Sequence, residues 1–320
     1  MLIFFKKATI GQLVVILLTV FLLWARAFIA PVTMLPEATF SPLYELLYSC
    51  LSPMPRLASA IALLLVLAQG IWLNIMLSNH KIANPNSLTP LLVYIVAMSW
   101  DSTMLTITPT LLVNIMILGA CSQLLSDGPI TLATNKNFNA TFFLSMAMLC
   151  LLPSACYLLS FIIVFITYKL YRWRDIVVSL LGLLAPLIVV FFYAYLSDKL
   201  DYYHILVQYY LSNIHLEMHP IRHISDATNL IFLALLFVSL MWHLTSGNDR
   251  LTYQRINARI MTIPLLAAAA MHLYYQLFPC NPQMMAFSFT FVMSGFLMAD
   301  RKRRWVGELS LWLLLLAAII

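Results

Sequence analysis

Charge is what this sequence lacks. Asp, Glu, Lys and Arg make up 9% of its 320 residues, against 62% apolar, and the mean hydropathy is +0.91. A soluble domain carries about 25% charged residues, so this composition cannot cover a water-facing surface. No stretch is long and polar enough to form a separate soluble domain. Cysteine is scarce as well. Cys50, Cys121, Cys150, Cys156 and Cys280 contain no CxxC pair and no regular framework, so most of them read as small membrane-core residues and not as disulfides or metal ligands. HExxH is absent, which removes the commonest zinc-hydrolase signature. There is no internal repeat and no line of charges through the apolar runs, which makes a transporter the least favoured class.

What is present is a succession of apolar runs, matched to a hydrocarbon core about 30 Å thick. The spans fall at roughly 10–30, 57–77, 89–103, 107–124, 139–152, 154–170, 176–196, 227–243, 261–277, 283–299 and 305–320. The expectation is an all-α, polytopic membrane protein with about 11 membrane helices, residues 1–320 forming a single multi-pass domain. The first run follows Lys6 and Lys7 but is too long for a signal peptide and lacks a small-x-small cleavage site; it reads as a retained helix. The third span and the pair around Pro153 are short, as re-entrant or tilted helices buried against protein would be.

With the amino terminus inside, fourteen of the eighteen basic residues fall on the inner side, from Lys6 and Lys7 to the run Arg301, Lys302, Arg303 and Arg304. Arg26, Arg56, Lys199 and Arg222 remain outside. This is the positive-inside bias, and it makes the net charge of +6 a set of topological anchors near anionic lipid instead of a nucleic-acid footprint. The expected orientation has a cytoplasmic amino terminus and a carboxyl terminus on the outer, periplasmic or extracytoplasmic, side.

Two outer loops then hold most of the chemistry. In the loop 31–56, Leu43, Leu46, Leu47, Cys50 and Leu51 follow helical spacing behind a Ser41–Pro42 start, predicting a short amphipathic surface helix. Glu37 precedes it, as a general base, a metal ligand or a solvated loop acid. Asp101 ends the third span in an apolar context, as a functional acid or as a turn acid capping the next helix. Arg26, near the outer end of the first helix, either snorkels to head groups or binds a diphosphate or carboxylate. Gln69, Asn74 and Asn114 read as interhelical hydrogen-bonding groups.

The loop 198–226 contains IHLEMHPIRHISD, in which His215, His219 and His223 recur every four residues. Pro220 interrupts the helix that would put them on one face, so a metal site is disfavoured against phosphate or sugar contact through these histidines and Arg222, or a plain wet loop.

The segment NATFFLSMAMLCLLPSACYLLSFIIVFITYKLYRWRDIVVSLLGLLAPLIVVFFYAYLSD, together with PNSLTPLLVYIVAMS, RINARIMTIPLLAAAAMH and ADRKRRWVGELSLWLLLL, resembles a family of polytopic inner-membrane proteins from Bacteroidota with no established activity. The layout also resembles the membrane core of the GT-C class of polyprenyl-phosphate-dependent glycosyltransferases. That second resemblance implies a lipid-linked sugar substrate, and it implies that Glu37 and Asp101 occupy the first and second outer-loop acid positions. Each stands alone here, where the class often has paired acids. The implied partners are membrane lipid, a polyprenyl-phosphate-linked sugar and membrane proteins, with no nucleic acid. No resident cofactor is expected, a divalent cation entering only with glycosyltransferase chemistry. The competing readings are a non-catalytic scaffold of an envelope-assembly complex and, behind it, a transporter.

Overall fold

Apolar runs punctuated by proline become helices punctuated by breaks. The computed structural model describes residues 10–34, 42–80, 87–100, 105–125, 134–167, 172–198, 201, 204, 208, 224–245, 252–274, 283–298 and 304–319. Among them are twelve α-helices and no strand. These are α1 (Ile10–Ile29), α2 (Pro42–Leu51), α3 (Pro55–Asn79), α4 (Thr89–Met98), α5 (Pro109–Leu124) and α6 (Thr134–Cys150). A 3-10 turn, Leu152–Cys156, leads into α7 (Tyr157–Thr167). Then come α8 (Trp173–Leu196), α9 (Ile224–Thr245), α10 (Thr252–Tyr274), α11 (Gln283–Met298) and α12 (Arg304–Ile319).

Three of these, α1, α3 and α8, are long and apolar enough to cross a membrane. Shorter apolar helices accompany them. The exterior is correspondingly greasy, with Ile10, Phe21 and Val189 exposed by 82%, 71% and 67%. A water-soluble monomer rarely tolerates apolar patches of that extent, whereas lipid requires them.

The centre of the bundle is an antiparallel pair, α4 and α11. Gln283 Nε2 donates to Met98 O at one end (3.0 Å), and Ser87 and Thr89 hydroxyls reach Met298 Sδ at the other (3.5 and 3.6 Å). All ten residues of α4 are buried, wrapped by α1, α3, α11 and α12. Ten residues make a helix of about 15 Å, half the hydrocarbon thickness. The sequence places this span at 89–103, but the helix stops at Met98. There the Ser99 amide closes the last turn on Ile95 O and Val96 O, and its hydroxyl is engaged by Trp24 of α1.

Around this pair, α5 runs antiparallel to α6, with Asn139 Nδ2 donating to Gln123 Oε1 (3.4 Å) and Gly119 lying over the Phe143 ring. Helix α8 leans on α6, while α9 packs on α11 through Phe232 and Phe289, whose ring centroids are 4.3 Å apart.

The amphipathic helix expected near residue 42 is α2, but its packed side is not the leucine stripe alone. Tyr44 is buried, and its ring lies 6.2 Å from that of Tyr48, whereas Leu46 is 65% exposed and Cys50 is also exposed. Helix α2 sits against α3 and α6, so the side that meets protein is chosen by those neighbours, not by hydropathy. Cys121 and Cys150 are buried and free, in keeping with their expected role as core residues.

Candidate functional site

Polar side chains inside an apolar bundle concentrate where helices break. Three breaks meet around Gln283: the turn from α4 to α5, the Pro153 break between α6 and α7, and the first turn of α11. Thr108 caps α5 by accepting from Leu111 N (3.3 Å), and Pro109 takes the first helical position, where a missing N–H costs nothing. Pro153 forces the 3-10 turn that hands the chain to α7. From there Tyr157 donates its hydroxyl proton to Met284 O (3.0 Å).

Gln283 is the hub. Its Oε1 accepts from Thr108 Oγ1 (2.9 Å) and Thr110 Oγ1 (2.6 Å), and its Nε2 donates to Met98 O. Its own carbonyl accepts from Asn114 Nδ2 (2.7 Å), which also lies 3.4 Å from Met98 Sδ. A second link runs deeper: Gln69 Nε2 donates to Leu111 O (3.1 Å), and the Tyr94 hydroxyl donates to Gln69 Oε1. Gln69 and Asn114 therefore do join helices, as their apolar contexts suggested. With water absent from a bilayer interior, such groups must find partners within the protein.

Buried groups without a hydrogen-bond partner include Trp100 Nε1, Thr106 Oγ1 and Asn114 Oδ1. Each such orphan costs about 1–3 kcal/mol. The seam is also neutral. Among the described residues, the only Asp, Glu, Lys, Arg or His side chains in the buried set are Asp175 on α8 and His243 on α9.

Of the site residues expected from sequence, Glu37, Asp101, His215, His219, Arg222 and His223 lie outside the described residues. Arg26 is described, in the last turn of α1, and is exposed. Trp24, two residues before Arg26, donates its Nε1 proton to Ser99 Oγ (2.9 Å), two residues before Asp101. The Trp100 ring meets Phe232 edge-on at 5.2 Å, on the helix that follows Arg222 and His223. The Trp24→Phe variant is expected to lose about 1 kcal/mol in a reversible unfolding measurement, because Ser99 then keeps a buried hydroxyl without its donor.

Gln283 itself escaped the sequence reading. The only signal was an amide at the first position of an otherwise apolar helix, just after Pro282.

A separate groove of about 820 Å³ runs along α1, lined by Val14, Leu17, Phe21, Trp24 and Phe28 and closed by Leu63 of α3. It is apolar throughout. Among the described residues, no cluster of three or more His, Cys, Asp or Glu offers a metal site. No protein-family model, curated protein or solved structure matches the chain.

Proposed function

We propose that the chain is a multi-pass inner-membrane protein, crossing about eleven times with a GT-C-like layout, that handles a polyprenyl-linked glycan at the outer face. Glycosyl transfer or polymerisation in surface-polysaccharide assembly is the activity. The observation carrying this reading is the neutral polar seam at three helix breaks around Gln283. Irregular backbone at membrane depth is tolerated where it lines a protein-enclosed site, so such a junction is where a substrate would be handled. In this scheme Glu37 or Asp101 removes the acceptor hydroxyl proton. Arg26, His215, His219, Arg222 and His223 hold the carrier phosphate by charge-assisted hydrogen bonds. The apolar α1 groove is in keeping with a lipid-borne substrate.

Alanine at Glu37 and at Asp101 tests this reading. Loss of a general base costs roughly 10²- to 10⁴-fold in rate, so at least one variant should give short or absent surface glycan at full expression. Normal glycan length in both removes the catalytic reading.

One observation favours a second reading, a non-catalytic partner in an envelope-assembly complex. Most seam groups satisfy one another, as in a structural lock. That reading expects normal chemistry in both variants, and loss of surface polysaccharide on deletion of the chain only when a partner protein disappears with it. Transport, the third class, requires substrate accumulation in proteoliposomes.

A further inference from the structure

We infer that the α1 groove seats the prenyl chain of the lipid carrier, with the carrier's phosphate meeting Arg26 and Arg56 at the groove's end. The inference rests on the polyprenyl-glycan reading. It gives the chain a place and adds Arg56 to the groups that meet the phosphate.

Topology brings the two arginines to one side of the membrane. Helix α2, between α1 and α3, has ten residues and is about 15 Å long, too short for a core of about 30 Å. The end of α1 and the start of α3 therefore share a side. Arg26 stands in the last turn of α1 and Arg56 is the second residue of α3; both are exposed. The groove runs to that same side. Phe28 and Ile29 line it there, and Ile29, three residues from Arg26, is its neighbour on the helix surface. Leu63 closes the groove from α3, and Arg56 lies two turns nearer the helix start on the same face.

Length and charge select the occupant. From Val14 to Ile29 the groove follows α1 for about 22 Å at 1.5 Å per residue. One leaflet of the core is about 15 Å deep, so a chain filling the groove from the arginine end passes the midplane. An ordinary acyl chain stays within its leaflet, whereas a polyprenyl chain is long enough to go on. The lining offers a head group nothing polar. The charge must therefore sit at the end, where two guanidiniums can form charge-assisted hydrogen bonds to phosphate oxygens.

The test uses the full chain in phosphatidylcholine nanodiscs, with undecaprenyl phosphate and geranyl phosphate as long and short probes. Affinities are taken per mole fraction of probe in the disc, so that partition into lipid cancels. The wild type should bind the long probe about tenfold more tightly than the short one, equivalent to about 1.4 kcal/mol. Arg26→Gln and Arg56→Gln should each weaken both probes by a similar factor. Leu17→Trp fills the inner half of the groove, so it should reduce the long probe to the affinity of the short one and leave the short one unchanged. All three positions are exposed, so each variant should keep the wild-type thermal midpoint.

Equal affinity of the wild type for the two probes overturns the groove as a chain site. Displacement of the long probe by phosphatidylglycerol at equal mole fraction overturns it as well, since the groove then seats ordinary leaflet lipid. Tight binding of the long probe that none of the three variants changes puts the carrier elsewhere on the chain and leaves the polyprenyl reading standing. Failure of both probes to bind the wild type overturns that reading and the groove together.

Discussion

Replacing Gly182 with valine is expected to separate α8 from the bundle. A Cβ at this position would lie 2.6 Å from the backbone oxygen of Phe138 and collide with the Thr141 hydroxyl of α6. The carbonyl belongs to α6 itself and cannot rotate away as a side-chain tip does. Overpacking of this kind costs about 1–3 kcal/mol even when neighbours yield, and valine adds two methyl groups to the clash. Pro186, four residues on, already removes the hydrogen bond that the Gly182 carbonyl would accept, so α8 lacks one backbone bond where it meets α6.

The measurement is the yield and thermal midpoint of monomeric protein in detergent. A Gly182→Val variant indistinguishable from wild type would mean that α6 and α8 are not packed this closely. Gly295→Ala serves as the control. There a Cβ meets only the Trp242 ring at 3.7 Å, an ordinary contact. Higher helix propensity should leave that variant neutral or more stable by up to about 1 kcal/mol.

The second large effect is expected at Gln283. Leucine there preserves volume but removes the acceptor for Thr108 and Thr110 and the donor to Met98 O. Three lost bonds at about 1 kcal/mol each amount to roughly 3 kcal/mol; measured interhelical bonds in membranes average nearer 0.6 kcal/mol, which gives a floor of about 2 kcal/mol. Gln283→Glu should be worse still at neutral pH, because it buries a carboxylate and loses the same donor. Both variants would be measured by reversible unfolding in bilayer-like micelles. A loss under about 0.5 kcal/mol for leucine would mean that the hub is dispensable.

The helices were readable because lipid leaves few ways to satisfy a backbone. Runs such as Ile10–Ile29 and Trp173–Leu196 declare themselves by composition, and Pro42 and Pro153 mark where chain geometry must change. The site was less readable. An amide at the start of an apolar helix looks the same whether it caps a turn or joins four segments. The partners of Gln283 lie 169 to 185 residues away, and no local pattern reports that pairing. The face α2 buries was hidden for a similar reason, since a tyrosine becomes a core residue only once α3 and α6 lie beside it. Of the candidate site residues, the structure describes Arg26 alone, so the sequence remains the sole guide to the two loop acids and to the histidine cluster.

The length of α4 has a consequence for biosynthesis. A helix of ten residues is too short for an insertion machinery that samples segments of about 20. Its main partner, α11, begins 185 residues after Met98. At roughly 5–20 residues per second, that is a wait of about 10–40 s between the emergence of α4 and that of the helix which covers it. During that interval Ser87, Thr89 and the Met98 carbonyl lack their α11 partners. The innermost element of the protein is thus among the last to be finished, and a chain truncated before residue 283 should leave α4 accessible to a membrane-impermeant thiol probe on a cysteine placed at Thr89.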